Sequence, residues 1–132
     1  MSDYYLGFDF GTTKIGVAVG QKITGTATPL GVITARDGKP DWPAVDAMVN
    51  EWKPKLMVVG LPLNMDGTTS DMSEAAEKFG RRLHGRYGLP VEMADERLST
   101  FEAREIMEGE GGDVDAIAAR LILETWFRSK TE

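Results

Sequence analysis

The chain has 132 residues, 42% of them hydrophobic, and a formal net charge of −6, which supports one domain with a real core and is too short for two. The absence of cysteine excludes a disulfide scaffold and any thiolate metal site, and it fits a reducing compartment. No apolar run approaches the roughly 20 residues of a membrane span, and MSDYYLGFDF shows neither the basic start nor the cleavage site of a signal peptide.

The predicted elements follow in chain order. Tyr4 to Phe10 alternates Tyr4, Leu6, Phe8 and Phe10 with Tyr5, Gly7 and Asp9, so its period is that of a strand. Two further strand-like runs, Ile15 to Gly20 and Ile23 to Thr34, follow across short turns, which favours antiparallel pairing. Arg36 to Pro40 reads as a polar loop, and Asp41 as the N-cap of a helix with Pro43 in its first turn. Val45, Met48, Val49 and Trp52 have the spacing of one buried helix face. Lys55 to Leu61 contains a continuous apolar run suited to a central strand buried on both faces.

A polar loop, Pro62 to Ser70, leads to a second helix over about Asp71 to Arg86, with Asp71 and Glu74 in capping-box spacing and Met72, Ala76, Phe79 and Leu83 as its core stripe. Gly88 and Pro90 end it, and Val91 to Glu96 reads as a fifth strand. Ser99 and Glu102 open a third helix through Ile106 and Met107. After Gly111 and Gly112, a last helix begins near Asp113 with Val114, Ile117, Ala118 and Leu121 inward. The order β-β-β-α-β-α-β-α-α predicts an α/β domain over residues 1–132: a mixed five-stranded sheet, three antiparallel strands and then βα units, with helices on both faces. That is a ribonuclease-H-like order. Actin and sugar-kinase lobes share the core, so the fold alone does not choose a function.

Three carboxylates carry the chemistry. Asp9 closes the first strand, where an unpaired acid is expensive to bury. Glu96 closes the fifth, and Asp115 lies in the first turn of the last helix. Their bland alternatives are a turn cap for Asp9, a pairing with Arg97 or a helix cap for Glu96, and a helix-dipole partner for Asp115. Asp113 would fill that last role equally well, and spacing does not separate the two. Asp95 should face away from Glu96. Three hard oxygen ligands suit Mg²⁺ or Mn²⁺, and a pair of such ions can activate water and stabilise the leaving oxygen of a phosphodiester. Thr12, Thr13 and Asn64 are candidate donors to phosphate oxygens, and Lys14 and Arg97 are candidates to neutralise the scissile or adjacent phosphates.

Other polar features read more plainly. His84, the sole histidine, sits in a basic helix and reads as a solvated surface residue. Lys78, Arg82 and Arg86, with Arg81 adjacent, form a stripe that is either a phosphate-backbone contact or a solvated face. Trp42, Trp52 and Trp126 stand at core-like positions rather than as base-stacking platforms. The acidity is regional. Residues 90–115 hold nine acids and two basic residues, and the rest of the chain holds thirteen basic residues and twelve acids.

DFGTTKIGVAVG at 9–20, GLPLNMDG at 60–67, DERLST at 95–100 and VDAIAARLIL at 114–123 together resemble the YqgF/RuvX family over nearly the whole chain. The resemblance implies a ribonuclease-H-like fold and a nuclease that matures the 5′ end of pre-16S ribosomal RNA in the bacterial cytoplasm. Some members are described as Holliday-junction resolvases. It also implies Asp9, Glu96 and Asp115 as the metal-binding set, choosing Asp115 over Asp113. One departure stands out: where family members commonly carry a longer basic loop, Gly112 is followed at once by Asp113, Val114 and Asp115. The loop would be a natural nucleic-acid contact: either the protein truly lacks it, which would imply weak nuclease activity, or the 132-residue sequence omits a mobile loop, which is the expectation taken here.

The leading expectation is a metal-dependent phosphodiesterase acting on structured RNA as a monomer or homodimer. It would cut by in-line attack of water, leaving a 5′-phosphate and a 3′-hydroxyl. A resolvase on branched DNA keeps the chemistry but requires a dimer. A kinase-like phosphate-binding lobe would account for DFGTTK, yet such enzymes close two lobes over a nucleotide and DERLST has no job there. A non-catalytic RNA-binding module is the fourth alternative.

Overall fold

The computed structural model describes residues 3–62, 68, 70–95 and 114–130. β1 (Tyr4–Asp9), β2 (Lys14–Gln21) and β3 (Thr26–Arg36) form an antiparallel meander; β4 (Lys39–Pro40) and α1 (Trp42–Trp52) follow. Then come β5 (Leu56–Leu61), α2 (Asp71–Tyr87), β6 (Val91–Asp95) and a last described helix, α3 (Val114–Ser129). The strands form one mixed sheet in the order β4-β3-β2-β1-β5-β6. β1 is central, antiparallel to β2 and parallel to β5, and β5 is parallel to β6.

The period-two pattern of β1 divides the core as the sequence predicts. Leu6, Phe8 and Phe10 join Val45 and Val49 of α1 and Ala76, Phe79 and Leu83 of α2 in the larger cluster. Tyr5 joins Ile122, Leu123, Trp126 and Phe127 of α3 on the other face. β5 is buried on both sides, with Met57 and Val59 in the first cluster and Val58 in the second. Helices therefore cover both faces. Trp126 is buried among aromatic rings, and Trp42 and Trp52 are half-buried against the larger cluster.

The sheet has six strands rather than the expected five. Asp37 (φ 50°) and Gly38 (φ 78°) form a two-residue turn with both residues left-handed, which folds Lys39–Pro40 back onto Ala35–Arg36. β3 begins at Thr26, because Ile23 lies in the preceding turn and is 89% exposed. The cap of α2 is Ser70, one residue earlier than expected. Its hydroxyl accepts from the Ser73 N–H at 3.2 Å while Ser73 Oγ accepts from the Ser70 N–H at 2.6 Å, a reciprocal box that Asp71 and Glu74 do not form. Asp41 caps α1 by position, without a side-chain hydrogen bond. Val114, Ile117, Ala118 and Leu121 make a small cluster of their own and are not the stripe that meets the sheet. The expected helix opened by Ser99 and Glu102 lies outside the described residues.

α1 and α2 are joined by a polar latch. Arg86 donates from Nε to Asp46 Oδ1 at 2.9 Å and from Nη2 to Oδ2 at 2.8 Å, a fork geometry that fixes orientation. The Tyr87 hydroxyl also donates to Asp46, and the guanidinium lies 5.0 Å from the Trp42 ring centre. Arg86 is thereby withdrawn from the basic stripe that its spacing suggested.

The Arg86 and Tyr87 hydrogen bonds hold the Asp46 carboxyl at about 2, below its ordinary 3.8. Between those values the unfolded chain binds the proton and the folded one does not, so stability rises with pH there. The latch's contribution is complete above about pH 4 and disappears as pH falls towards 2. Urea titrations between pH 2 and 5 should show this slope in the wild type and a flatter one in Asp46→Asn. Gly85 lies in α2, and nothing stands within 4 Å of the place a Cβ would occupy. Gly85→Ala should therefore stabilise by roughly 0.5–1 kcal/mol in the same assay.

Candidate nuclease site

The sheet direction gathers the chemistry at one end. The C-terminal ends of β1, β3, β5 and β6 and the N-terminal end of β2 share that edge. Asp9 is the last residue of β1, half-buried, with the parity of Tyr5 and Gly7 and therefore on the α3 face. Its partner across the ladder is Gly16 of β2.

Gly16 decides where α3 begins. A Cβ on it would fall on the Asp115 carbonyl group and stand 2.8 Å from the Ala116 nitrogen, closer than atoms can approach. Only a glycine lets the first turn of α3 rest on β2 at this level. The same bare residue thus pairs with Asp9 in the sheet and carries Asp115 above it. Asp115 is half-buried and lies in the first turn of its helix, where the exposed amide ends favour negative charge. The two carboxylate-bearing positions, near opposite ends of the chain, converge through one backbone contact.

The turn after Asp9 is equally constrained. A Cβ at Gly11 would lie 2.5 Å from the Lys14 carbonyl oxygen. The Thr13 carbonyl accepts from the Ala35 N–H at 2.8 Å and the Thr12 carbonyl from the Gly38 N–H at 3.0 Å. These bonds tie the turn to the β3–β4 hairpin and leave Thr12, Thr13 and Lys14 exposed on a braced rim. Sequence reasoning missed the hairpin, although Asp37-Gly38 is the dipeptide that signals it. Asn64, Glu96 and Arg97 lie outside the described residues. Among the described residues, no three acidic, histidine or cysteine side chains form a metal-sized group. His84 is exposed, with Nδ1 at 2.8 Å from the Leu89 carbonyl, as a surface residue would be.

Residues 3–129 match the family model described as "RuvX: Holliday junction resolvase". The chain belongs to the RuvX family. Among its relatives, the "Putative pre-16S rRNA nuclease" of Azotobacter vinelandii is 58% identical over 132 residues, covering 95% of this chain and 93% of the relative. A protein of the same name in Saccharophagus degradans is 54% identical, covering 96% and 94%. In structure, this RuvX chain is similar to RuvC of T. thermophilus in complex with a Holliday junction substrate: TM-score 0.58, 16% identity, covering 96% and 94%. It is also similar to the Fowlpox virus resolvase with Holliday junction DNA: TM-score 0.61, 11% identity, covering 98% and 99%. At those identities the likeness establishes the ribonuclease-H-like fold.

In this RuvX chain, Gly16→Ala should cost at least about 2–3 kcal/mol by forcing α3 off the sheet. Gly7→Ala should cost less, since its Cβ would meet Leu123 Cβ at 3.0 Å and the Ala119 oxygen at 3.1 Å. Thermal melts of the two variants against wild type check the ranking.

Proposed function

We propose that this chain is a metal-dependent nuclease that hydrolyses phosphodiester bonds in the 5′-end maturation of pre-16S rRNA in the cytoplasm. The observation that carries the proposal is the convergence of Asp9 and Asp115 across Gly16, at the open end of the sheet. The names of relatives sharing more than half of the sequence over nearly the full length of both chains supply the substrate.

The donor set fits a hard divalent cation. Asp9 and Asp115 offer carboxylate oxygens on half-buried rather than sealed residues, as Mg²⁺ or Mn²⁺ with retained water requires. One or two such ions, when bound, would supply water activation and stabilisation of the leaving oxygen. Glu96 is the proposed third ligand. What supports it is the resemblance of DERLST at 95–100 to the family motif. Thr12 and Thr13 would hold a phosphate oxygen at the rim, with Lys14, Asn64 and Arg97 as further phosphate contacts. The braced turn keeps the rim fixed while the strand is bound.

A resolvase acting on branched DNA is the second reading, favoured by the family description. It requires a homodimer, so that two strands are cut symmetrically.

Cleavage of a labelled 5′-extended 16S precursor with Mg²⁺ or Mn²⁺, beside a four-way DNA junction, tests both. Wild type should cut the RNA, and Asp9→Asn should lower the rate by roughly a hundredfold or more. Cleavage of the junction alone would replace the first reading with the second. Metal-independent cleavage, or none of either substrate, would overturn the proposal.

A further inference from the structure

Two members of the basic stripe on α2 have a different setting from the rest. Arg86 is bound into the Asp46 latch, and Arg81 borders a separate groove with His84. Lys78 and Arg82, by contrast, join Lys39 of β4 around a cavity of about 160 Å³ whose floor includes Phe10 and Phe79. Asp37 also lines it, so among the described residues three cations face one carboxylate. All three cations are exposed, and among the described residues none of them forms an ion pair.

The cavity belongs to the same end of the sheet as Asp9. Phe10 follows Asp9 directly, but its ring lies in the α2-side cluster, 5.2 Å from that of Phe79. The hairpin that presents Lys39 is hydrogen-bonded to the carbonyls of Thr12 and Thr13. One short turn therefore positions Asp9 on one face and the basic cavity on the other. A strand crossing the sheet end over Thr12 and Thr13 would reach both.

Size and charge select the occupant. The cavity is smaller than the roughly 300 Å³ at which pockets begin to enclose drug-sized ligands, so it has room for a phosphate group and not for a whole nucleotide. Phe10 and Phe79 are buried beneath it. Their rings make a firm apolar floor with little face to offer for base stacking, and such a floor strengthens charge attraction above it.

We propose that Lys39, Lys78 and Arg82 bind a backbone phosphate of the substrate strand adjacent to the bond cut at Asp9. The inference rests on the nuclease reading and extends it to the path of the strand. Contacts of this kind fix register without reading sequence.

The test is binding of a fluorescein-labelled single-stranded segment of the 16S precursor to the Asp9→Asn protein, by anisotropy across a salt series. The variant Lys39→Gln/Lys78→Gln/Arg82→Gln is compared with Lys22→Gln/Lys53→Gln/Lys55→Gln, which removes equal charge from exposed positions at the opposite end of the sheet. Circular dichroism confirms that both fold. The first variant should bind on the order of tenfold more weakly at low salt, with a salt slope shallower by about 0.7 for each phosphate it no longer neutralises. The second should change affinity at most about twofold, with its slope unchanged. Equal effects of the two variants, or none from the first, would overturn the phosphate site while leaving cleavage by wild type, and so the nuclease reading, intact. Absence of both binding and cleavage in the Asp9-containing protein would overturn both.

Discussion

The structure depends on a bare furrow in the sheet. Gly7 of β1 and Gly16 and Gly20 of β2 share the face beneath α3; the helix fills the space over Gly7 and Gly16, and Thr26 and Ala27 of β3 fill that over Gly20 together with Phe127. Asp115 lies against Gly16, Ala119 and Leu123 against Gly7, and Phe127 against Gly20. These helix positions recur every four residues, so a single stripe runs along the furrow. Side chains on the sheet would lift the helix by about the width of a methyl group or more, and Asp115 would rise with it. The distance between two carboxylate-bearing backbones is thus set by the absence of side chains at Gly7 and Gly16, whose conformational cost in a strand is real.

The opposite face is built in the contrary manner. There the gap between sheet and helices is filled by rings: Phe8 meets Phe79 edge-on at 5.5 Å, and Trp42 stacks on Phe79 at 6.0 Å. Such rings contribute both area and geometry, and the Asp46–Arg86 fork ties the helices that carry them. Backbone contact positions the acids and aromatic packing positions the cations. The Gly11–Lys14 turn joins the two faces, and the carbonyls of Thr12 and Thr13 within it are already committed to the hairpin.

Much of this was legible in the sequence because period two is unambiguous in β1: one face of Leu6, Phe8 and Phe10, and the other ending in Asp9. The apolar run in β5 likewise placed it at the centre. The contact stripe of α3 was not legible. That helix is apolar on several sides, so Val114, Ile117 and Leu121 fit the spacing as well as the stripe that meets the sheet. The choice is made by the glycines of other elements. Ile23 reads as strand for a related reason: a β-branched residue beside strand-like neighbours extends the pattern, and only the turn closed by Gly25 (φ 69°) shows where the strand starts. Ser70–Ser73 and Asp71–Glu74 satisfy the same spacing, and hydrogen-bond geometry alone separates them. Of the acidic site, Asp9 was legible as an acid out of place in a strand. Asp115 was chosen over Asp113 by resemblance; the Asp115 carbonyl lies against Gly16, and Asp113 lies outside the described residues.

Taken as a whole, the net charge of −6 opposes a polyanionic substrate, but exposed charges act over a Debye length of only about 8 Å at physiological ionic strength. What a phosphate meets is the local set. Outside residues 90–115 the thirteen basic residues and twelve acids nearly balance, so an even scatter of them would offer it no preferred position. Lys39, Lys78 and Arg82 around one cavity define such a position. On the proposed reading, carboxylates that would hold a divalent ion also repel the strand, so attraction would have to come from cations near them but out of contact with the ion. Placing acids and cations on opposite faces of the sheet end meets both demands. Among the described residues, the hairpin and α2 are where that attraction is supplied.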